Sequence, residues 1–161
     1  MFVAGGAALH FYTGERVSED IDAVFSRRIV LPDKLEVAYR DADGAARLLY
    51  FDHQYSDTLA LMHEDAHKDS VPLSLTGIDA HKLDVRLLAP LDLAVSKLSR
   101  FSDQDRDDIM TLARRKLIRA PALRVRAEQA LDGYVGGIDR IQGNIAQAFR
   151  IVDDTARRHS S

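Results

Sequence analysis

Two glycines and two aspartates near the start of the chain constrain its folding more than anything that follows. Gly5-Gly6 opens an apolar run, Ala7, Ala8, Leu9 and Phe11, and Gly14 closes it. Glycine just past the last apolar position is a usual helix stop, because it takes up left-handed backbone without cost. The chain then runs through Asp20-Ile21-Asp22-Ala23-Val24-Phe25. Apolar and polar residues alternate there, the period of a half-buried strand. The order is therefore a glycine turn, a short helix, and a strand with two carboxylates one residue apart.

That order has a chemical meaning. Side chains two apart on a strand leave from the same face, about 6–7 Å from one another. Asp20 and Asp22 thus offer hard oxygen donors to one Mg2+ (or Mn2+), or to two ions side by side. Glycines before a helix leave backbone N–H groups aimed at an anion, with no side chain in the way. Carboxylates for the metal and amides for the phosphate make a clamp for a nucleoside triphosphate. Asp-x-Asp is also common in turns and at solvated strand ends, so the pairing with Gly5-Gly6 carries the reading.

Composition narrows the classes. A chain of 161 residues fits one domain, or a domain with a helical extension. The formal charge of -3 announces no nucleic-acid surface. Zero cysteines exclude disulfides and thiolate metal sites and suit a reducing compartment. No apolar run approaches the roughly 20 residues of a membrane span. Met1-Phe2-Val3-Ala4 lacks the features of a signal peptide. A cytoplasmic location without a membrane partner is expected. The chain also begins inside its first expected strand, as if a preceding element were missing.

Further along, residues 33–40 read either as a helix begun at Pro32-Asp33 or as a strand. The turn signal Asp41-Ala42-Asp43-Gly44 favours a hairpin into Arg47 to Asp52. Val71 to Leu75 and Leu83 to Leu88 read as two more strands. After Pro90 the apolar spacing turns helical: Leu91, Val95 and Leu98; Ile109, Leu112 and Ala113; then Leu123, Ala127 and Ala130-Leu131. Gly136-Gly137 precedes a last helix from about Ile138 to Arg158. The expected class is α+β, a mixed-sheet core over 1–90 with a helical region over 91–161 packed on it.

The stretch Gly5-Gly6 … Arg16-x-Ser18-x-Asp20-Ile21-Asp22 resembles the signature of the nucleotidyltransferase superfamily, which has the DNA polymerase β-like fold. Residues 88–100, Leu-Ala-Pro-Leu-Asp-Leu-Ala-Val-Ser-Lys-Leu-Ser-Arg, followed by Asp105-Arg106-Asp107-Asp108-Ile109, are similar to a block of the abortive-infection (AbiEii-type) toxin nucleotidyltransferases. They are also similar to a related group of bacterial nucleotidyltransferase-like proteins. The resemblance covers about residues 2–117. It implies Mg2+-dependent transfer of a nucleotidyl group from an NTP to a hydroxyl of RNA (a tRNA end, for example), of protein or of a small molecule. It also suggests the toxin of a toxin–antitoxin pair, with an antitoxin protein as partner. By position, Gly5, Gly6, Ser18 and Arg16 match the triphosphate contacts, and Asp20 and Asp22 the metal ligands. Asp52 matches the third carboxylate, with Asp84 as its rival. Lys97 matches a charge-stabilising lysine, and Asp108 an acid that braces it.

Other readings stand beside these. Lys97 and Arg100 share a helix side, which suits phosphate or a solvated face equally. Asp103 and Asp105 fit ordinary helix capping, and Arg16 an ordinary loop arginine. His63-Glu64-Asp65-Ala66-His67 matches the pattern of a zinc-hydrolase helix, with His81 as a third ligand, but the segment is short and polar. His10 reads as a packed or partly exposed histidine, and His53 as a cleft residue by position alone. A catalytically silent interaction module of the same fold is the alternative to an enzyme.

Overall fold

A computed structural model describes residues 1–15, 20–26, 36–40, 44–51, 60–76 and 79–159. The chain divides into two compact units, Met1–Tyr55 with Ser70–Leu88, and Ser56–Asp69 with Ala89–Ser161. The first unit holds β1 (Phe2–Val3), α1 (Gly5–Thr13), β2 (Asp20–Ile21), β3 (Ala23–Val24), β4 (Glu36–Arg40), β5 (Ala46–Phe51), β6 (Val71–Pro72) and β7 (Arg86–Leu87). The second holds α2 (Pro90–Ser96), α3 (Asp103–Arg114), α4 (Ala120–Leu131) and α5 (Ile138–Arg158). The class is α+β with a helical second half. Among the described residues no helix is long and apolar enough to cross a membrane.

The first unit contains two sheets, one ordered β3-β1-β7-β6 and one ordered β2-β5-β4. The first is mixed: β1 runs parallel to β7 and antiparallel to β3, and β6 runs antiparallel to β7. The strand expected over residues 20–25 is in fact two. Asp20–Ile21 pairs in parallel with Tyr50–Phe51, whereas Ala23–Val24 pairs antiparallel with Phe2–Val3. Successive dipeptides thus join different sheets, and Asp22 is the residue between them. Its carbonyl accepts a hydrogen bond from the Ala4 amide at 2.8 Å. Stacked rings of Phe25 and Phe51, with centroids 5.8 Å apart, follow β3 and end β5 respectively.

The ambiguity at residues 33–40 resolves to a strand over Glu36–Arg40, and the hairpin forms as expected. β4 pairs antiparallel with β5 from Arg40↔Ala46 to Glu36↔Tyr50. Gly44 has φ 81°, and its carbonyl accepts from the Arg40 guanidinium at 2.9 Å. β6 and β7 are shorter than their apolar runs. Pro72 has no N–H to continue a ladder, and β6 lies at the edge of its sheet. The Arg86 guanidinium fastens Ser70 through its hydroxyl (2.8 Å) and its carbonyl (2.6 Å).

In the second unit the helical periodicity is obeyed. Ile141, Ile145, Ala148, Val152 and Thr155 form the buried stripe of α5, and Ile109, Leu112 and Ala113 that of α3. Leu123, Ala127 and Ala130 line α4. In α2 the buried set is Asp92, Leu93, Ala94 and Val95, with Leu91 only partly covered. The segment before residue 70 joins this unit rather than the first: Leu61 and Ala66 are buried, and Asp69 bonds Arg126 at 2.7 Å. Arg126 also grips Asp92 with Nε at 2.8 Å and Nη2 at 2.9 Å, a two-pronged carboxylate contact. The hydrogen bond to Asp92, foremost, raises the Arg126 pKa further above its ordinary value.

Asp92 is only 2% exposed and is ion-paired with that guanidinium. Removing one partner of a buried pair strands the other. Arg126→Met should lower unfolding free energy by about 3 kcal/mol in urea titrations. Arg126→Met with Asp92→Leu should recover most of that loss; a double variant as unstable as the single one would show the pair is not what holds α4 to α2.

Candidate functional site

The glycine turn and the second aspartate meet directly. Ala4 is extended, with φ -124° and ψ -160°, and offers no side-chain cap to α1. Gly5 opens the helix with φ +57°, in the left-handed region that disfavours any Cβ. A Cβ built on Gly5 would lie 1.7 Å from Asp22 Oδ2, 2.7 Å from its Cγ and 3.0 Å from its Cβ. The Asp22 carboxylate therefore occupies the space a side chain would need. Glycine is required at position 5 on two counts, backbone angle and space. A carboxylate against the first turn also complements the positive end of the helix. Gly6 is buried just behind it.

Asp20 is exposed and stands on β2 opposite Tyr50, which is exposed as well. Ile21, between the two acids, pairs with Phe51. Hard carboxylate oxygens beside a glycine bend suit Mg2+ or Mn2+, which take oxygen donors and keep open positions for phosphate. Arg16, Ser18, Asp52 and His53 lie outside the described residues. Asp84, the rival third acid, is exposed, with Arg86 Nη1 3.9 Å away. Among the described residues no group of three or more His, Cys, Asp or Glu is placed to hold a metal ion.

The far end of α1 is equally defined. Gly14 caps it at φ 68°, donating to His10 O at 2.8 Å. The Thr13 hydroxyl bonds Leu9 O at 2.8 Å. Tyr12 donates its hydroxyl to Leu88 O at 3.0 Å, and burial pushes its phenol up to about 12. His10 is exposed and meets Phe11 edge-on.

Lys97 lies in the second unit, at the end of α2, and is 6% exposed. Its ammonium is 2.5 Å from Asp108 Oδ2 and 3.8 Å from Asp105 Oδ1. Asp108 thus braces the lysine. Arg100, largely exposed, donates to both oxygens of Asp105 at 2.8 Å. Ser102 and Asp105 complete a reciprocal capping box at the start of α3. Burial would raise the Asp105 pKa. The Arg100 bonds, then the Ser102 hydroxyl and amide, and the Lys97 charge outweigh it and hold the acid at about 2. This cluster fastens the end of α2 to the start of α3. Arg100 spends its guanidinium there rather than on an open helix face.

The histidine pair forms no helix. Residues 64–69 are turns, with His63 Nδ1 accepting from the Asp65 amide at 3.1 Å and Asp65 O from the Asp69 amide at 2.8 Å. A zinc-hydrolase site needs both histidines on consecutive turns of one helix. Sequence reasoning missed two features. The seating of Asp22 against Gly5 had one available signal, the need for glycine where a side chain meets backbone. The Asp92–Arg126–Asp69 group had none, because its members are far apart in sequence.

A family model described as "Nucleotidyltransferase of unknown function (DUF6036)" matches residues 1–136. No curated protein and no solved structure gives a match.

Gly5→Ala should destabilise the chain by more than about 2 kcal/mol, from left-handed strain and the clash with Asp22. In an Asp22→Gly background the same change should cost only the strain, about 1 kcal/mol, and a double-mutant cycle by urea unfolding reads the difference. Asp105 titrates with a depressed folded pKa, so its stabilisation is present above its unfolded value near 3.8 and is lost as pH falls toward about 2. Asp105→Asn should remove about 2 kcal/mol at pH 7 and flatten the loss of stability between pH 4 and about 2, measured by thermal melts across that range.

Proposed function

The chain belongs to the family of nucleotidyltransferases of unknown function, its model matching residues 1–136, and from that premise we propose Mg2+-dependent transfer of a nucleotidyl group from an NTP to a hydroxyl of RNA or protein. The observation that carries this reading is the Asp22 carboxylate seated against Gly5, where a Cβ would be 1.7 Å from its oxygen. A metal ligand and a phosphate-binding bend are then parts of one piece of backbone.

In the proposed reaction the acceptor oxygen forms a bond to the α-phosphorus, and the bond from that phosphorus to the bridging β-phosphate oxygen breaks. Pyrophosphate leaves, and the acceptor proton passes to a carboxylate. Asp20 and Asp22 would hold the metal, with Asp52, one residue beyond Phe51 in the chain, as third ligand and proton acceptor. A metal bound there would neutralise charge on the triphosphate and make the attacking hydroxyl more acidic. The backbone amides of Gly5 and Gly6, the Ser18 hydroxyl and the Arg16 guanidinium orient the triphosphate. Little else is needed, since phosphoryl chemistry is accelerated mainly by positioning and charge. Lys97, the residue matched to charge stabilisation, is held between Asp108 and Asp105 at the α2–α3 corner.

The test is incubation of the purified chain with each α-labelled NTP, Mg2+ and total RNA, then with total protein. Label should appear in one acceptor pool, vanish with EDTA, and fall more than about a hundredfold in Asp22→Ala. Absence of both transfer and nucleotide binding would replace the enzyme with an interaction module.

A further inference from the structure

Two stretches far apart in sequence converge on one end of the helical unit. Lys116, Ile118, Arg119 and Pro121, after α3, line a cleft of about 370 Å3 with Asp153, Ala156 and His159 of the α5 end. Arg114, Arg115, Arg157 and Arg158 flank these residues and are exposed. Six permanent cations thus gather there against two carboxylates, Asp153 and Asp154, and Asp153 is paired with Arg157 at 2.6 Å. The chain as a whole carries -3.

Helix dipoles explain part of this. Arg114, Arg157 and Arg158 lie in the last turns of α3 and α5, where cations are favourable. They do not explain Arg119. It is the residue capping the N-terminus of α4, where positive charge is unfavourable, and it makes no side-chain capping bond. Lys116 is a second local misfit, a non-glycine residue at φ 58°. Both residues work against local folding preferences while adding charge to the same cleft. Five of the six cations are arginines, whose planar fork suits phosphate oxygens. Leu117 is the one large apolar side chain exposed between residues 113 and 121, too little for insertion into lipid.

We infer that this end of the helical unit binds the phosphodiester backbone of RNA. Calling that RNA the acceptor rests on the nucleotidyl-transfer reading; the binding itself does not. It selects RNA over protein among the acceptors that reading allows.

The experiment is fluorescence anisotropy of the full chain with a labelled, tRNA-sized structured RNA, without NTP or divalent metal, across a salt series. The variant is Lys116→Gly with Arg119→Asp. Both changes suit their backbone positions, so thermal melts should show a fold at least as stable as the parent. The control, Arg140→Asp with Lys68→Gly, removes the same charge elsewhere in the same unit. The variant should bind at least about tenfold more weakly, with the salt slope lower by about two, and the control within about twofold of the parent. Equal weakening in variant and control, no RNA binding, or tighter binding to anionic vesicles or to DNA of the same sequence would overturn the assignment. Asp22→Ala should bind RNA as the parent does. Patch-dependent binding without label transfer would sink only the enzymatic reading, and transfer to RNA undiminished in the patch variant would sink only this one.

Discussion

The seating of the Asp22 carboxylate on Gly5 is the contact around which the first unit is arranged. It demands glycine at a left-handed position, and that position starts α1 directly from β1. The main chain of the same aspartate accepts the Ala4 amide, which continues the pairing of β3 with β1. One residue therefore sets a helix entry, closes a strand pair and presents an acid. The proposed chemistry inherits its geometry from that economy. The glycine bend and the Asp22 carboxylate are held together by backbone, not by long side chains.

Much of this was legible in the order of residues, because glycines and aspartates mark backbone needs that few other residues meet. Gly14 ended α1 where a left-handed stop was expected, and the periodic stripe from Ile141 to Thr155 defined α5. The hairpin was legible from its turn. The break at Asp22 was not. Alternation reports that one face is covered; it is silent on which sheet covers it, and residues on either side of Asp22 pair with different sheets. The allegiance of residues 60–69 to the helical unit was hidden too, since it rests on Leu61, Ala66 and a long-range guanidinium contact. A lysine three residues from an arginine looks the same in sequence whether it faces water or two carboxylates.

Charge shows the same limit at a larger scale. A slightly acidic average announced no surface for polyanions, yet the folded helical unit separates its charges. Acids sit inside, on Asp92, Asp105 and Asp108, each with a cation partner. The arginines after α3 and at the end of α5 stay outside. The exterior of that end is more basic than the composition implies. Net charge describes a protein seen from many Debye lengths away; a ligand at contact meets only what the fold has left on the surface.

The first helix is fastened at both ends. Ala4 and Gly5 tie its start to Asp22, and at its finish the Tyr12 hydroxyl reaches Leu88 O while Gly14 turns the chain away. In the proposed reaction a phosphate chain arriving at such a bend would find its donors already aligned, so little ordering entropy would count against its affinity. Selectivity at the proposed site would then come from shape fixed before the ligand arrives, and a nucleotide with a differently spaced phosphate could not recruit the helix to follow it.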